Sequence, residues 1–289
     1  MQRNVSLIAV ILACLTAASA ATPNFSARHD YPGYFTTVAN VADVNGDGIP
    51  DMVGLNPAHA IQVLLGNGDG TFRSGPTSES GMNLGGMNNV AIADVNGDGK
   101  PDAIIAGDLP KGPEGIGVCL GNGDGTFQSA VLSVGGKNIT SIIAADFNGD
   151  GIPDVAAMGP DAIWVFIGNG DGTFQSPLTT TFSGDALRPM VAADLNGDGH
   201  LDLVAPIGTG FAVFLGSGNG TFQPEQDFNG APGNVAVGDI NQDGRPDVVV
   251  ASDGSDYAHV YQVMAPEASP ARFKFSSAKD HRRSLRLAM

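Results

Sequence analysis

Five stretches of the chain carry oxygen-bearing side chains in one spacing. The pattern Asp-x-Asn-x-Asp-Gly-x-x-Asp runs from Asp43 to Asp51, Asp94 to Asp102, Asp146 to Asp154, Asp194 to Asp202 and Asp239 to Asp247. Positions 1, 3, 5 and 9 are Asp43, Asn45, Asp47 and Asp51 in the first copy and Asp94, Asn96, Asp98 and Asp102 in the second. They are Asp146, Asn148, Asp150 and Asp154 in the third, Asp194, Asn196, Asp198 and Asp202 in the fourth, and Asp239, Asn241, Asp243 and Asp247 in the fifth. Three carboxylates within nine residues repel one another unless a cation lies between them. Those four side chains, with a backbone carbonyl at position 7, suit a hard cation that takes six to eight oxygens at about 2.3–2.6 Å, so the expected chemistry is Ca2+ binding, with up to five ions. Position 7 varies as Ile49, Lys100, Ile152, His200 and Arg245, as it can if only its carbonyl is used. Gly48, Gly99, Gly151, Gly199 and Gly244 stand at position 6, where the chain must turn sharply. Helix-loop-helix calcium loops are excluded, because position 12, where they place a bidentate Glu, holds Gly54, Ile105, Ala157, Ala205 and Val250. Turn formation by Asp, Asn and Gly explains one such copy but not five.

These loops lie between short apolar runs. Val38–Ala42, Val90–Ala93, Ile142–Ala145, Val191–Ala193 and Val235–Val237 lead in; Met52–Leu55, Ala103–Ala106, Val155–Met158, Leu203–Ala205 and Val248–Ala251 lead out. Bounded by Gly, Pro and Asn, they predict strands. A third run follows at Ile61–Leu65, Ile116–Leu120, Ile163–Ile167 and Phe211–Leu215, with Cys119 at a core position. A second landmark, Gly-Asn-Gly-Asp-Gly-Thr-Phe, then recurs at Gly66–Phe72, Gly121–Phe127 and Gly168–Phe174, with a looser copy at Gly216–Phe222 and none in the fifth unit. It reads as a glycine turn rather than a second metal site, with its Thr-Phe pair starting a fourth strand. The result is an all-β chain of five repeats at a period of 45 to 52 residues, each a four-stranded blade. A β-propeller follows, and a sandwich gives no reason for near-identical loops at fixed intervals.

Composition bounds the compartment and the partners. Arg3, an apolar run from Val5 to Leu15 and Ala18-Ser19-Ala20 predict a signal peptide over residues 1–20. Ile11-Leu12-Ala13-Cys14 is a second possibility, a lipoprotein box with the anchor on Cys14. Either way the chain is expected to be secreted, periplasmic or at the cell surface, with no membrane span. Without Cys14 only Cys119 remains, so no internal disulfide can stabilise an exported fold and a structural metal is expected to. Residues 21–263 hold 28 acids against 7 bases, which excludes nucleic acid as a partner. Residues 264–289 form a basic tail with 6 bases, predicted to be disordered or to meet an acidic partner.

The landmarks resemble those of the FG-GAP and VCBS repeat family, the units that build the β-propeller of integrin α subunits and of many exported bacterial proteins. The resemblance covers residues 25–263 and implies calcium in the loop between the first and second strands of each blade. It also implies a role in adhesion, recognition or scaffolding, through a protein or glycan ligand. The integrin propeller has seven blades and only five units are visible here. No Gly-x-Ser-x-Gly elbow, His-Glu-x-x-His or Walker loop is present, so the expectation is a binding module and not an enzyme. The alternatives are a calcium-dependent lectin-like propeller and, further off, a polysaccharide-active enzyme using carboxylates such as Asp108, Glu114, Asp161, Asp185 or Asp227. Ring closure is expected from Phe25–Asp30 pairing with Val260–Val263, the alternatives being a strand at Phe273–Phe275 or an open ring that pairs with another chain.

Overall fold

The computed structural model describes residues 30, 31, 35, 40–82, 89–108, 114–186, 188–230, 232–252, 258–264 and 275–277. These residues form a β-propeller of five four-stranded antiparallel meanders, with no helix among them. Blade 1 is β1 (Asn40–Ala42), β2 (Asp51–Leu55), β3 (Ile61–Gly66) and β4 (Phe72–Ser78); blade 2 is β5 (Asn89–Ala93), β6 (Asp102–Asp108), β7 (Glu114–Cys119) and β8 (Val131–Val134). Blade 3 is β9 (Ser141–Ala145), β10 (Asp154–Met158), β11 (Ala162–Phe166) and β12 (Leu178–Thr181); blade 4 is β13 (Val191–Ala193), β14 (Asp202–Ile207), β15 (Gly210–Phe214) and β16 (Gln226–Asn229). Blade 5 is β17 (Gly233–Gly238), β18 (Asp247–Ser252), β19 (Ala258–Val263) and β20 (Phe275–Ser277).

The second and third strands of blades 2 to 4 are largely apolar because neighbouring blades cover both of their faces. In β6, Ala103 and Ile105 pack toward blade 1 with Val53, Leu55 and Val63, while Ile104 and Ala106 pack toward blade 3 with Val155, Ala157 and Phe166. The same alternation places one apolar cluster between blades 3 and 4 and another between blades 4 and 5. A strand that fills two interfaces cannot alternate apolar with polar residues, which is why these runs are continuous. Fourth strands lie at the rim, and Val131, Leu132 and Val134 of β8 are exposed.

Two expectations about the fourth strands are corrected. Only β4 begins at the Phe of Gly-Thr-Phe; in blades 2 to 4 that Phe makes an isolated bridge, Gly121 with Phe127, Gly168 with Phe174 and Gly216 with Phe222. Pairing resumes at Val131, Leu178 and Gln226. Pro177 and Pro224, which lack the amide that a continuous ladder needs, stand in the gap in blades 3 and 4. The fourth strand of blade 5 is β20, with Tyr261 opposite Ser277, Gln262 opposite Ser276 and Val263 opposite Phe275. The edge assigned to Phe25–Asp30 is therefore taken by a segment of the basic tail, and residues 275–277 of that tail are ordered as a strand. An apolar edge next to Val263 needs a partner, and Phe275 lies directly opposite it. Phe25–His29 lie outside the described residues.

Cys119 is fully buried in the cluster between blades 1 and 2, and burial pushes its thiol up to about 12. A thiol with that acidity and no exposure reacts only through unfolding. In the native protein, mass spectrometry of the Cys119 peptide should show no alkylation at neutral pH, with complete labelling in denaturant. Labelling of native Cys119 at the rate of a free thiol would contradict this packing.

Candidate metal centres

The five aspartate loops join the first strand of each blade to the second, and all five fold alike. Position 1 accepts backbone hydrogen bonds on both oxygens: Gly46 N donates to Asp43 Oδ1 at 2.8 Å and Gly48 N to Asp43 Oδ2 at 2.8 Å. The position 6 amide makes the latter bond in every loop, from Gly99, Gly151, Gly199 and Gly244 to Asp94, Asp146, Asp194 and Asp239. Position 3 accepts from the position 5 amide: Asp47 to Asn45, Asp98 to Asn96, Asp150 to Asn148, Asp198 to Asn196 and Asp243 to Asn241. Position 5 accepts from the position 7 amide: Ile49 to Asp47, Lys100 to Asp98, Ile152 to Asp150, His200 to Asp198 and Arg245 to Asp243. The position 3 and position 5 bonds are Asx turns, and the position 1 bonds reach three and five residues on; all need a short side chain with an acceptor oxygen, which explains why only Asp and Asn occupy these positions.

Position 4 carries a conformational signal that the ligand spacing conceals. Gly46, Gly97, Gly149 and Gly197 all have positive φ there, near +75°, and in the fifth loop Gln242 adopts φ 63°. The recurrence of Gly four times in five loops makes this requirement legible, and Gln242 meets it at a steric cost.

Position 9 differs from the rest. Asp51, Asp102, Asp154, Asp202 and Asp247 are completely buried. One oxygen of each accepts the amide of position 2, from Val44, Val95, Phe147, Leu195 and Ile240, at 3.0 to 3.3 Å. The other accepts an amide at the end of the third strand, from Gly66, Gly121, Gly168, Gly216 and Val263, at 2.8 to 3.0 Å. The first Gly of the second landmark is needed for this approach. A Cβ at Gly66, Gly121, Gly168 or Gly216 would lie 2.2–2.4 Å from the carbonyl oxygen of Pro50, Pro101, Pro153 or Leu201, the residue just before the buried aspartate. Desolvation raises the pKa of Asp51, Asp102, Asp154 and Asp202, that of Asp202 to about 6. The other two carboxylates of each loop add to the rise and the two amides oppose it.

The second landmark spends its side chains within its own turn. Thr71 N and Thr71 Oγ1 both donate to Asp69 Oδ1, at 2.9 and 2.6 Å, and Asn67 Nδ2 donates to Thr71 Oγ1 at 2.9 Å. The Thr126 and Thr173 hydroxyls hold the equivalent Asp124 and Asp171 below the usual carboxylate range. Asn219 replaces that aspartate in blade 4 and accepts the same two bonds from Thr221. The turn therefore needs the oxygen and not its charge.

Among the described residues, no three His, Cys, Asp or Glu side chains form a preformed cation cage. The loop donors nonetheless fit a hard cation. The position 1 and position 5 carboxylates, the position 3 carboxamide oxygen and the buried position 9 carboxylate are all oxygen donors of one loop, the kind of ligand that a hard cation takes. Among the described residues, the ion pairs beside them are Lys100, 3.6 Å from Asp98, and Arg245, 3.8 Å from Asp243, both near the surface and of little strength.

The buried and exposed aspartates should separate by mutation in excess chelator. Asp154→Asn removes a desolvated charge but turns an NH2 toward a backbone N–H that then has no acceptor, and each lost charged hydrogen bond is worth about 1.5–3 kcal/mol. The net effect in denaturant titration should be a loss of about 1–3 kcal/mol, whereas Asp150→Asn, on the exposed side of the same loop, should change stability by less than about 0.5 kcal/mol. Equal effects would contradict the distinction.

Comparison with known proteins gives one sequence family and a set of distant folds. The FG-GAP-like repeat matches residues 43–105, 96–157, 146–205 and 207–259. No curated protein sequence matches significantly. Among solved structures, a lectin of Agrocybe aegerita described by its specific recognition of non-reducing terminal N-acetylglucosamine is 23% identical, with a TM-score of 0.41 over 80% of this chain and 78% of that one. The biofilm matrix protein Bap1 of V. cholerae is 20% identical, with a TM-score of 0.43 over 78% of this chain and 36% of that one. The Tc holotoxin pore of Photorhabdus luminescens is 17% identical, with a TM-score of 0.39 over 79% of this chain and 11% of that one. The last two matches span well under two thirds of the proteins concerned. The repeat matches reach from the first aspartate loop to the last blade and include the loop and third-strand landmarks that the buried aspartates join, so the chain belongs to the FG-GAP-like repeat family.

Proposed function

We propose that the chain is an exported, non-catalytic binding module whose five aspartate loops hold structural Ca2+ and whose blades present a surface to a protein or glycan. The observation that carries this reading is the fivefold repetition of an oxygen-only turn with three carboxylates and no strong internal counter-charge. Bound there, a divalent cation would supply the compensating charge. Within each loop, the Asx turns at positions 3 and 5 and the longer-range backbone bonds at position 1 aim the side-chain oxygens, and the position 9 carboxylate ties the loop to the third strand. Export is supported by the N-terminal apolar run from Val5 to Leu15. Among the described residues no helix is long and apolar enough to cross a membrane.

Structural calcium predicts a large stability linkage. A site filled to 100 times its dissociation constant adds about 2.7 kcal/mol, so several such sites would exceed the net stability of many domains. Excess chelator should lower the melting temperature sharply, and readdition of Ca2+ but not Mg2+ should restore it, because Mg2+ gives up its waters reluctantly. Calorimetric titration should show Asp146→Ala lowering the stoichiometry by one ion. A melting temperature indifferent to chelator, or an unchanged stoichiometry, would reject the reading.

A further inference from the structure

Asn-Gly-Asp-Gly occurs seven times in the chain, in two structural settings. Four copies lie in the aspartate loops, at residues 45–48, 96–99, 148–151 and 196–199, and three in the glycine turns, at residues 67–70, 122–125 and 169–172. An Asn followed by Gly is the pair most prone to lose its side-chain amide, because glycine has no Cβ to hinder attack by its own nitrogen. Glycine conformation does not separate the two sets, since φ is 73° to 80° at the first glycine and 82° to 87° at the second in all seven. Their hydrogen bonds differ.

In the aspartate loops the glycine nitrogen is held away from the asparagine. Gly46 N donates to Asp43 Oδ1 at 2.8 Å, Gly97 N to Asp94 Oδ1 at 2.8 Å, Gly149 N to Asp146 Oδ1 at 2.7 Å and Gly197 N to Asp194 Oδ1 at 2.7 Å. The side-chain oxygen of the same asparagine accepts the position 5 amide, and Asn45, Asn96, Asn148 and Asn196 are half-buried. Attack would have to break a charge-assisted bond at the nitrogen and an Asx turn at the carbonyl together. The two other Asn-Gly pairs are also engaged, Gly220 N with Phe147 O at 3.1 Å and Gly230 N with Thr209 O at 2.9 Å.

In the glycine turns the equivalent nitrogen has no such restraint. Among the described residues, the amides of Gly68, Gly123 and Gly170 donate no hydrogen bond. Asn67, Asn122 and Asn169 are exposed. Their side chains are held by neutral bonds, from Nδ2 to the hydroxyls of Thr71, Thr126 and Thr173 at 2.8 to 2.9 Å, and from Gln128 Nε2 to Asn122 Oδ1 at 3.2 Å. Such bonds are roughly half as strong as charge-assisted ones.

We infer that Asn67, Asn122 and Asn169 are modification sites at which the folded chain turns asparagine into aspartate and isoaspartate, while the aspartate loops keep theirs intact. Gly68 N, its proton passed to solvent, attacks Asn67 Cγ; the Cγ–Nδ2 bond breaks and the nitrogen leaves as ammonia with a proton from water. Water then opens the cyclic imide at one of its two carbonyls, which gives aspartate or isoaspartate. Either product adds a carboxylate beside Asp69 and removes the donor to Thr71 Oγ1, and isoaspartate also lengthens the main chain of the turn. That turn begins at Gly66, whose amide binds the buried Asp51, so the modification weakens the register of the blade. The inference does not depend on the reading of the loops as calcium sites, because the protecting bonds form without a cation.

Peptide mass spectrometry of the chain aged at mildly alkaline pH tests this, with one sample folded well below its melting temperature and one in denaturant. Only products that carry the mass gain of amide loss are counted, so that isomerised aspartates do not enter. In denaturant the seven identical tetrapeptides should react at similar rates. In the folded chain Asn67, Asn122 and Asn169 should react roughly tenfold or more faster than Asn45, Asn96, Asn148 and Asn196, the factor that one charge-assisted hydrogen bond supplies. Anion exchange should resolve the aged folded chain into more acidic species, and Asn67→Gln, Asn122→Gln and Asn169→Gln combined should remove them. Equal rates for the two sets in the folded chain, turn asparagines that stay intact there, or acidic species that persist in the triple variant would overturn the proposal.

Discussion

A buried carboxylate between two backbone amides is the interaction on which each blade depends. The position 9 aspartate joins the start of the aspartate loop to the end of the third strand, where its partners Gly66, Gly168, Gly216 and Val263 lie 14 to 16 residues after the aspartate. Burying a carboxylate costs several kcal/mol, and two charge-assisted hydrogen bonds return an amount of similar size. The net contribution to stability is therefore modest. Its effect lies in register: no other side chain of that length offers two acceptors on one planar group, so the loop and the glycine turn must sit side by side at the same end of the blade.

From that juxtaposition follows the way blades meet. Because the loop and the turn share one end, the turn of one blade reaches the loop of the blade before it, and Val44, Val95 and Phe147 are buried at these contacts. Cation loops and blade packing are thus built from the same residues. Loss of a loop would loosen an interface as well as empty a site.

Much of this was legible in the residues. The five-unit period, the continuous apolar second and third strands and the turn chemistry of Gly-Asn-Gly-Asp-Gly-Thr-Phe all identify four-stranded blades, because strand propensity and turn geometry are local. Less legible was the fate of Asp51, Asp102, Asp154, Asp202 and Asp247. Spacing groups them with positions 1, 3 and 5, of which position 5 is exposed and positions 1 and 3 are mostly half-buried, yet complete burial sets them apart, and burial depends on the third strand of the blade. The Pro at position 8 in four loops, followed by a Gly at the end of the third strand, was the available sign of that close approach. The closing strand of blade 5 was misassigned to Phe25–Asp30 because Phe-rich segments at both ends of the chain fit the same edge, and pairing between distant segments is not encoded in local pattern.

A crystal structure of the chain grown in Ca2+, with anomalous difference maps, tests the central claim most directly. The account predicts one peak in each loop, about 2.3–2.6 Å from the side-chain oxygens of positions 1, 3 and 5, with the position 9 carboxylate still bound to the third-strand amide. Loops that keep these hydrogen bonds but show no peak in saturating Ca2+ would contradict it, and would leave the repeated aspartates as turn formers alone.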